Sequence, residues 1–211
     1  MLLLSARTIY PTRGTPPQLS RFARMSIKRI LPVIFLSSVA ITLAACATLQ
    51  RGPVGNSAVP EPAKAVDLNR YAGLWYEIGR YENGFERDCE GVTARYTVRD
   101  DGLVGVQNTC RQGGVAGEER TAEGKAKVVE NSGNAKLKVS FFGPFYFGDY
   151  WVLDRAEDYS WSIVGEPSGR YLWLLSRTAE PSAEVRAVIM NRTRELGYDL
   201  SLLRPVEQPP A

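Results

Sequence analysis

The sequence predicts an all-β protein, an eight-stranded antiparallel up-and-down β-barrel with one C-terminal α-helix. Two patterns lead there. Between residues 74 and 176 short strand-like runs recur with turn residues at every gap, and a single later segment, 181–196, switches to helical spacing. With 44% hydrophobic and 23% charged residues over 211 positions, the chain is globular and long enough for one large domain. It contains no histidine, which removes the Ser/His/Asp triad, the Cys/His dyad and imidazole-ligated metals before any motif is read.

The strands are read at 74–82, 91–98, 103–110, 117–129, 135–142, 147–154, 160–166 and 170–176. Residues 91–98 alternate at period two, Arg99-Asp100-Asp101-Gly102 is a turn signal, and 103–110 follows as the partner strand. Asn131-Ser132-Gly133-Asn134, Phe142-Gly143-Pro144-Phe145 and Glu166-Pro167-Ser168-Gly169 are hairpin-like gaps. Successive strands are therefore antiparallel neighbours, and eight of them can close on themselves and lose their edges. In 181–196, Val185, Val188, Ile189 and Leu196 fall at helical spacing, Pro181 suits the first turn and Gly197 the stop. The stripe is expected to cover the outside of the barrel.

Charge separates the N-terminus from the rest. Residues 1–45 hold six basic side chains and no acidic one, whereas from residue 46 onward 20 basic residues face 23 acidic ones, a net −3. Interspersed charges of that sign give a nucleic-acid partner no clustered positive face. Lys28-Arg29 precede the apolar run 30–45, the build of a secretory signal. Sixteen residues broken by Pro32 fall short of the ~20 that span a bilayer. Leu43-Ala44-Ala45-Cys46 resembles the lipobox of bacterial lipoproteins. That resemblance implies acylation of Cys46, anchoring in the membrane, and, with Ala47 rather than aspartate next, the periplasmic face of the outer membrane. Met1 or Met25 is the initiator. The stretch 46–64, with Gly52, Pro53, Gly55, Pro60 and Pro62, reads as a flexible tether. It leads into a domain at 65–207, with 208–211 as a tail.

Two cysteines remain, Cys89 and Cys110, in an oxidising compartment. A hairpin folded about Asp100-Asp101 brings them within about two residues of opposition, so that one bulge aligns them for a disulfide. Two buried free thiols are the alternative.

Gly73-Leu74-Trp75-Tyr76-Glu77, Asp158-Tyr159 and Tyr171–Arg177, in this order and at these strands, resemble the three signatures of the lipocalins, and with the lipobox those of bacterial outer-membrane lipoproteins. Alternating strand direction puts all three at one pole. There Gly73, Trp75, Asp158, Tyr159 and Arg177 are expected to close the barrel, with the Arg177 guanidinium on the Trp75 indole. Loops 83–90, 111–116, 143–146 and 166–169 rim the other end, where Phe85, Phe145 and Tyr146 either guide an apolar ligand inward or pack the loops.

Parity from Trp75 and Arg177, with the apolar set of every other strand turned inward, gives a lining of Val92, Ala94, Tyr96, Val104, Val106, Ala122, Ala126, Leu137, Val139, Phe141, Tyr150, Val152, Trp161, Ile163, Tyr171, Trp173 and Leu175. Small residues on the fourth strand leave room for a cavity. Glu77 also points inward and needs a partner, an arginine or tyrosine hydroxyls. The resemblance implies a lipid ligand, fatty acid or lysophospholipid; some relatives of the fold are enzymes, but no nucleophile and base pair stands out here, so no enzymatic activity and no cofactor are expected. Alternatives are a binder of another hydrophobic molecule such as a tetrapyrrole, an enzyme, or a scaffold filled by its own side chains. A homodimer is left open.

Overall fold

In a computed structural model the described residues are 52–210. The signal-like segment, Met25, Cys46 and the start of the tether lie outside them. Nine strands form one sheet: β1 (Gly73–Tyr81), β2 (Cys89–Val98), β3 (Val104–Gln112), β4 (Glu118–Val128), β5 (Lys136–Ser140), β6 (Gly148–Arg155), β7 (Trp161–Gly165), β8 (Leu172–Ser176) and β9 (Leu203–Pro205). Neighbours from β2 to β8 follow chain order, β8 pairs with β1, and β1 pairs back with β2 to close an eight-stranded barrel.

The closing seam is split. Gly73–Tyr76 of β1 pairs with β2, and farther along Gly79–Tyr81 pairs with β9 instead. The chain after β9 continues the wedge, since Gly91 N–H donates to Glu207 O and Gln208 Nε2 donates to the carbonyls of Glu77 and Val92. The backbone groups that β1 and β2 expose by splaying are thus satisfied from the C-terminus.

Among the described residues two α-helices flank the barrel. The single-turn α1 (Leu68–Tyr71) is capped by Asp67, whose carboxylate accepts from the amides of Asn69 and Arg70. The second, α2 (Ala183–Glu195), lays Ile189, with Leu196 just after it, on Ile78, Leu153, Ile163, Leu172 and Leu174. This outer layer explains why β7 and β8 read as nearly continuous apolar runs. Both of their faces are buried, so alternation vanishes.

Three bulges set the direction of the polar side chains. In β1, Glu77 pairs with Leu175 but Gly79 with Leu174, so Ile78 is the extra residue. Glu77 and Arg80 consequently share the inner face. In β6 the shift between Val152 and Asp154 turns Asp154 outward, where it meets Lys64 at 3.0 Å and also Arg192 of α2. In β2 the shift between Glu90 and Thr93 brings Cys89 and Cys110 to a Cα separation of 5.4 Å, joined as a disulfide.

From Gly52 onward the expected tether is instead a strap laid along the barrel. Gly55 N–H donates to Gly169 O, Asn56 Nδ2 to Leu196 O, Glu61 pairs with Lys136, and Val66 N–H donates to Gly133 O. A Cβ on Gly55 would stand 2.1 Å from the Tyr81 ring, so only glycine admits this approach. Composition alone does not show the docking, because it depends on backbone hydrogen bonds, one close glycine contact and a few polar side chains whose partners are distant in sequence.

Candidate functional site

The closed pole is built around α1. Its Tyr71 enters the barrel floor, the hydroxyl 2.9 Å from that of Tyr150 and 3.0 Å from Ser162 Oγ. Trp75 Nε1 donates to Tyr71 O at 2.8 Å. Across the indole lies Arg177, its Cζ 3.8 Å from the ring centroid, while its guanidinium donates to the carbonyls of Leu74, Arg70, Tyr71 and Ala72. Tyr159 sits between Arg70 and Arg155 and accepts from the Asp67 amide through its hydroxyl. Asp158 accepts from Ser160 N–H and fixes the turn. Gly73, at φ +96°, brings the backbone close to Arg177.

Above this floor is a cavity of about 740 Å³, within the range of small-molecule sites. Val92, Ala94, Tyr96, Val104, Val106, Ala122, Ala126, Leu137, Val139, Phe141, Tyr150, Val152, Trp173 and Leu175 line it. Three residues expected in this wall lie elsewhere. Trp161 and Ile163 are on the outer face beside α2, because Val164 pairs with the inward Val152 and Trp173 and takes the inner position. Tyr171 precedes β8 and leaves the wall at the rim, stacked on Phe85 at 5.6 Å and Trp173 at 5.8 Å. Tyr146 also turns outward, over Lys125 and Lys127.

The polar groups are less legible in the sequence. Glu77, inward as expected, is paired with Arg80 at 2.9 Å, both buried. Arg80 also donates to the carbonyls of Glu86 and Cys89. Glu86, from the loop after β1, accepts from Trp173 Nε1 at 2.9 Å and lines the cavity with Glu77. Burial, then the nearby Glu86 carboxylate, push Glu77 well above the usual carboxylate range, against the pull of Arg80. Burial also raises Tyr71 to about 12, which keeps its hydroxyl protonated. Asn108 belongs to the cavity wall, and its Oδ1 is buried there without a hydrogen-bond partner. Only the bulge in β1 brings Arg80 to Glu77, and no local pattern announces a bulge.

The lipocalin-like domain family matches residues 66–208. The outer membrane lipoprotein Blc of Vibrio cholerae is 43% identical over 171 residues, covering 80% of this chain and 98% of that protein. The protein of the same name from Escherichia coli K12 is 37% identical, covering 86% and 98%. Among solved structures, insecticyanin from the tobacco hornworm Manduca sexta superposes with a TM-score of 0.56 at 21% identity, over 75% of this chain and 88% of its own. At that identity the likeness speaks for the fold alone.

Proposed function

The chain belongs to the lipocalin family, and from that premise we propose that it is an outer-membrane lipoprotein, acylated at Cys46, that carries one single-chain lipid, a fatty acid or a lysophospholipid. The observation that carries this reading is the shape of the cavity: apolar along its walls, closed below by Tyr71 and Trp75, and open at the opposite end. An acyl tail buries against aliphatic and aromatic walls. A head group then stays near the mouth, within reach of Asn108 and Glu86, which also line the space. Localisation follows from the lipobox together with the outer-membrane lipoproteins that resemble this chain over most of its length.

We read the protein as a carrier rather than an enzyme. Its cavity offers no imidazole, and the buried tyrosines hold their protons. Filling the barrel tests the site. Ala122 faces inward from β4 opposite Asn108, so Ala122→Trp is expected to weaken binding of a fluorescent lysophospholipid at least ~10-fold, the loss of ~1.4 kcal/mol. A thermal melt must show the fold intact, since overpacking can itself cost ~1–3 kcal/mol. Unchanged affinity in a folded variant would place the ligand elsewhere.

A further inference from the structure

At the mouth, Phe142, Phe147, Phe85 and Phe145 are 87%, 83%, 66% and 59% exposed. Phe85 comes from the β1–β2 loop and the other three from the β5–β6 loop. All four continue into the cavity wall, so the apolar interior opens onto an apolar rim. Four phenylalanines in water around one opening are an interaction surface rather than scattered exposure.

The strap says what covers it. It crosses the barrel from the closed pole at Val66 to the mouth, where Gly52 lies against the carbonyls of Glu82 and Arg170 and accepts from the Arg170 guanidinium. From Gly52 back to Cys46 there are six residues, which span no more than about 22 Å even if fully extended. The nine residues of β1 are roughly 30 Å long. Tilted by about 40° they still leave roughly 23 Å between the poles, before the loops at either end are added. An anchor leaving at the mouth cannot reach past the closed pole.

We propose that the barrel stands mouth-down on the bilayer that holds its own acyl anchor, with the phenylalanine rim of the two loops inserted among the lipid head groups. Lipid then passes between membrane and cavity along a continuous apolar surface. The inference rests on acylation at Cys46, part of the function proposed above.

The test uses the acylated full-length protein with one added thiol carrying an environment-sensitive fluorophore. Gly84→Cys and Pro144→Cys place it on the two aromatic loops, and Asp100→Cys on the closed pole. A Cβ added at Gly84 would meet nothing within 4 Å, and Pro144 and Asp100 are exposed, so each should be tolerated. On phosphatidylethanolamine/phosphatidylglycerol vesicles containing a nitroxide-labelled phospholipid, the probes at 84 and 144 should be quenched several-fold more than the probe at 100. Equal quenching at both poles, or stronger quenching at 100, overturns the proposal. So does a rim probe already shielded without vesicles in a dimer, which would make a second copy the occupant. Titration of the parent with lysophospholipid monomers, without vesicles, reads the carrier function separately. Rim quenching without monomer binding supports docking and removes the carrier reading, and monomer binding without rim quenching does the reverse.

Discussion

Arg177 holds four main-chain carbonyls between Arg70 and Leu74 with one planar fork while its flat face covers the Trp75 indole. Lysine offers three donors from a point and no plane to stack. Arg177→Lys is therefore expected to cost about 2–3 kcal/mol in denaturant unfolding, from lost charge-assisted hydrogen bonds and stacking; a loss below ~0.5 kcal/mol would deny the residue its role as the plug. Glu77 carries a pH dependence of definite sign. Its folded pKa is raised by burial and by Glu86, so the folded state holds the proton more tightly than the unfolded chain. Its contribution to stability is complete below the ordinary glutamate value and is lost as pH rises toward the folded one. Relative to Glu77→Gln, the parent should lose stability as pH rises above the ordinary glutamate value of about 4.3. Urea unfolding across that range checks it, and parallel curves for the two proteins would contradict it.

Between strands, the disulfide Cys89–Cys110 closes a separation of 21 residues. Replacing both cysteines by alanine is expected to cost about 3 kcal/mol. Thiol labelling of the unreduced, unfolded protein should find neither cysteine reactive, and two reactive thiols would refute the bond. All eight barrel strands and the long helix are legible from period and turn chemistry, each to within a few residues of its observed ends. The short helix α1, the strand β9 and the strap are not. Tyr71 reads as another aromatic until its hydroxyl is seen to join Tyr150 and Ser162 in the floor. Hydrophobicity alone puts the wrong face of β7 inward, because Trp161 and Ile163 are apolar and so is Val164; with α2 covering the outside, it cannot tell inside from out. Bulges do the rest. The one in β1 pairs Glu77 with Arg80, and the one in β6 sends Asp154 out to Lys64 and Arg192, where burial would raise its carboxyl but those two cations hold it below the usual range.

At the scale of the whole molecule the parts fall into a directional arrangement. A rigid pole made by Trp75, Arg177 and α1 ends a cavity of about 740 Å³, and the rim of exposed phenylalanines opens it. A packed core would have filled that volume with its own side chains; here the small side chains of Ala94, Ala122 and Ala126 line it together with Leu137, Tyr150 and Trp173 and leave it free. The disulfide staples the strands that carry the mouth, so the opening keeps its shape while the floor does not yield. A site of this form suits a small hydrophobic ligand, and the proposed occupant is an acyl chain. Native mass spectrometry of the protein extracted from its own membrane measures this most directly. One bound species per chain, of fatty-acid or lysophospholipid mass and displaced by added lysophospholipid, is the expected result; an empty barrel that also takes up no added amphiphile, or a bound chromophore in its place, would contradict it.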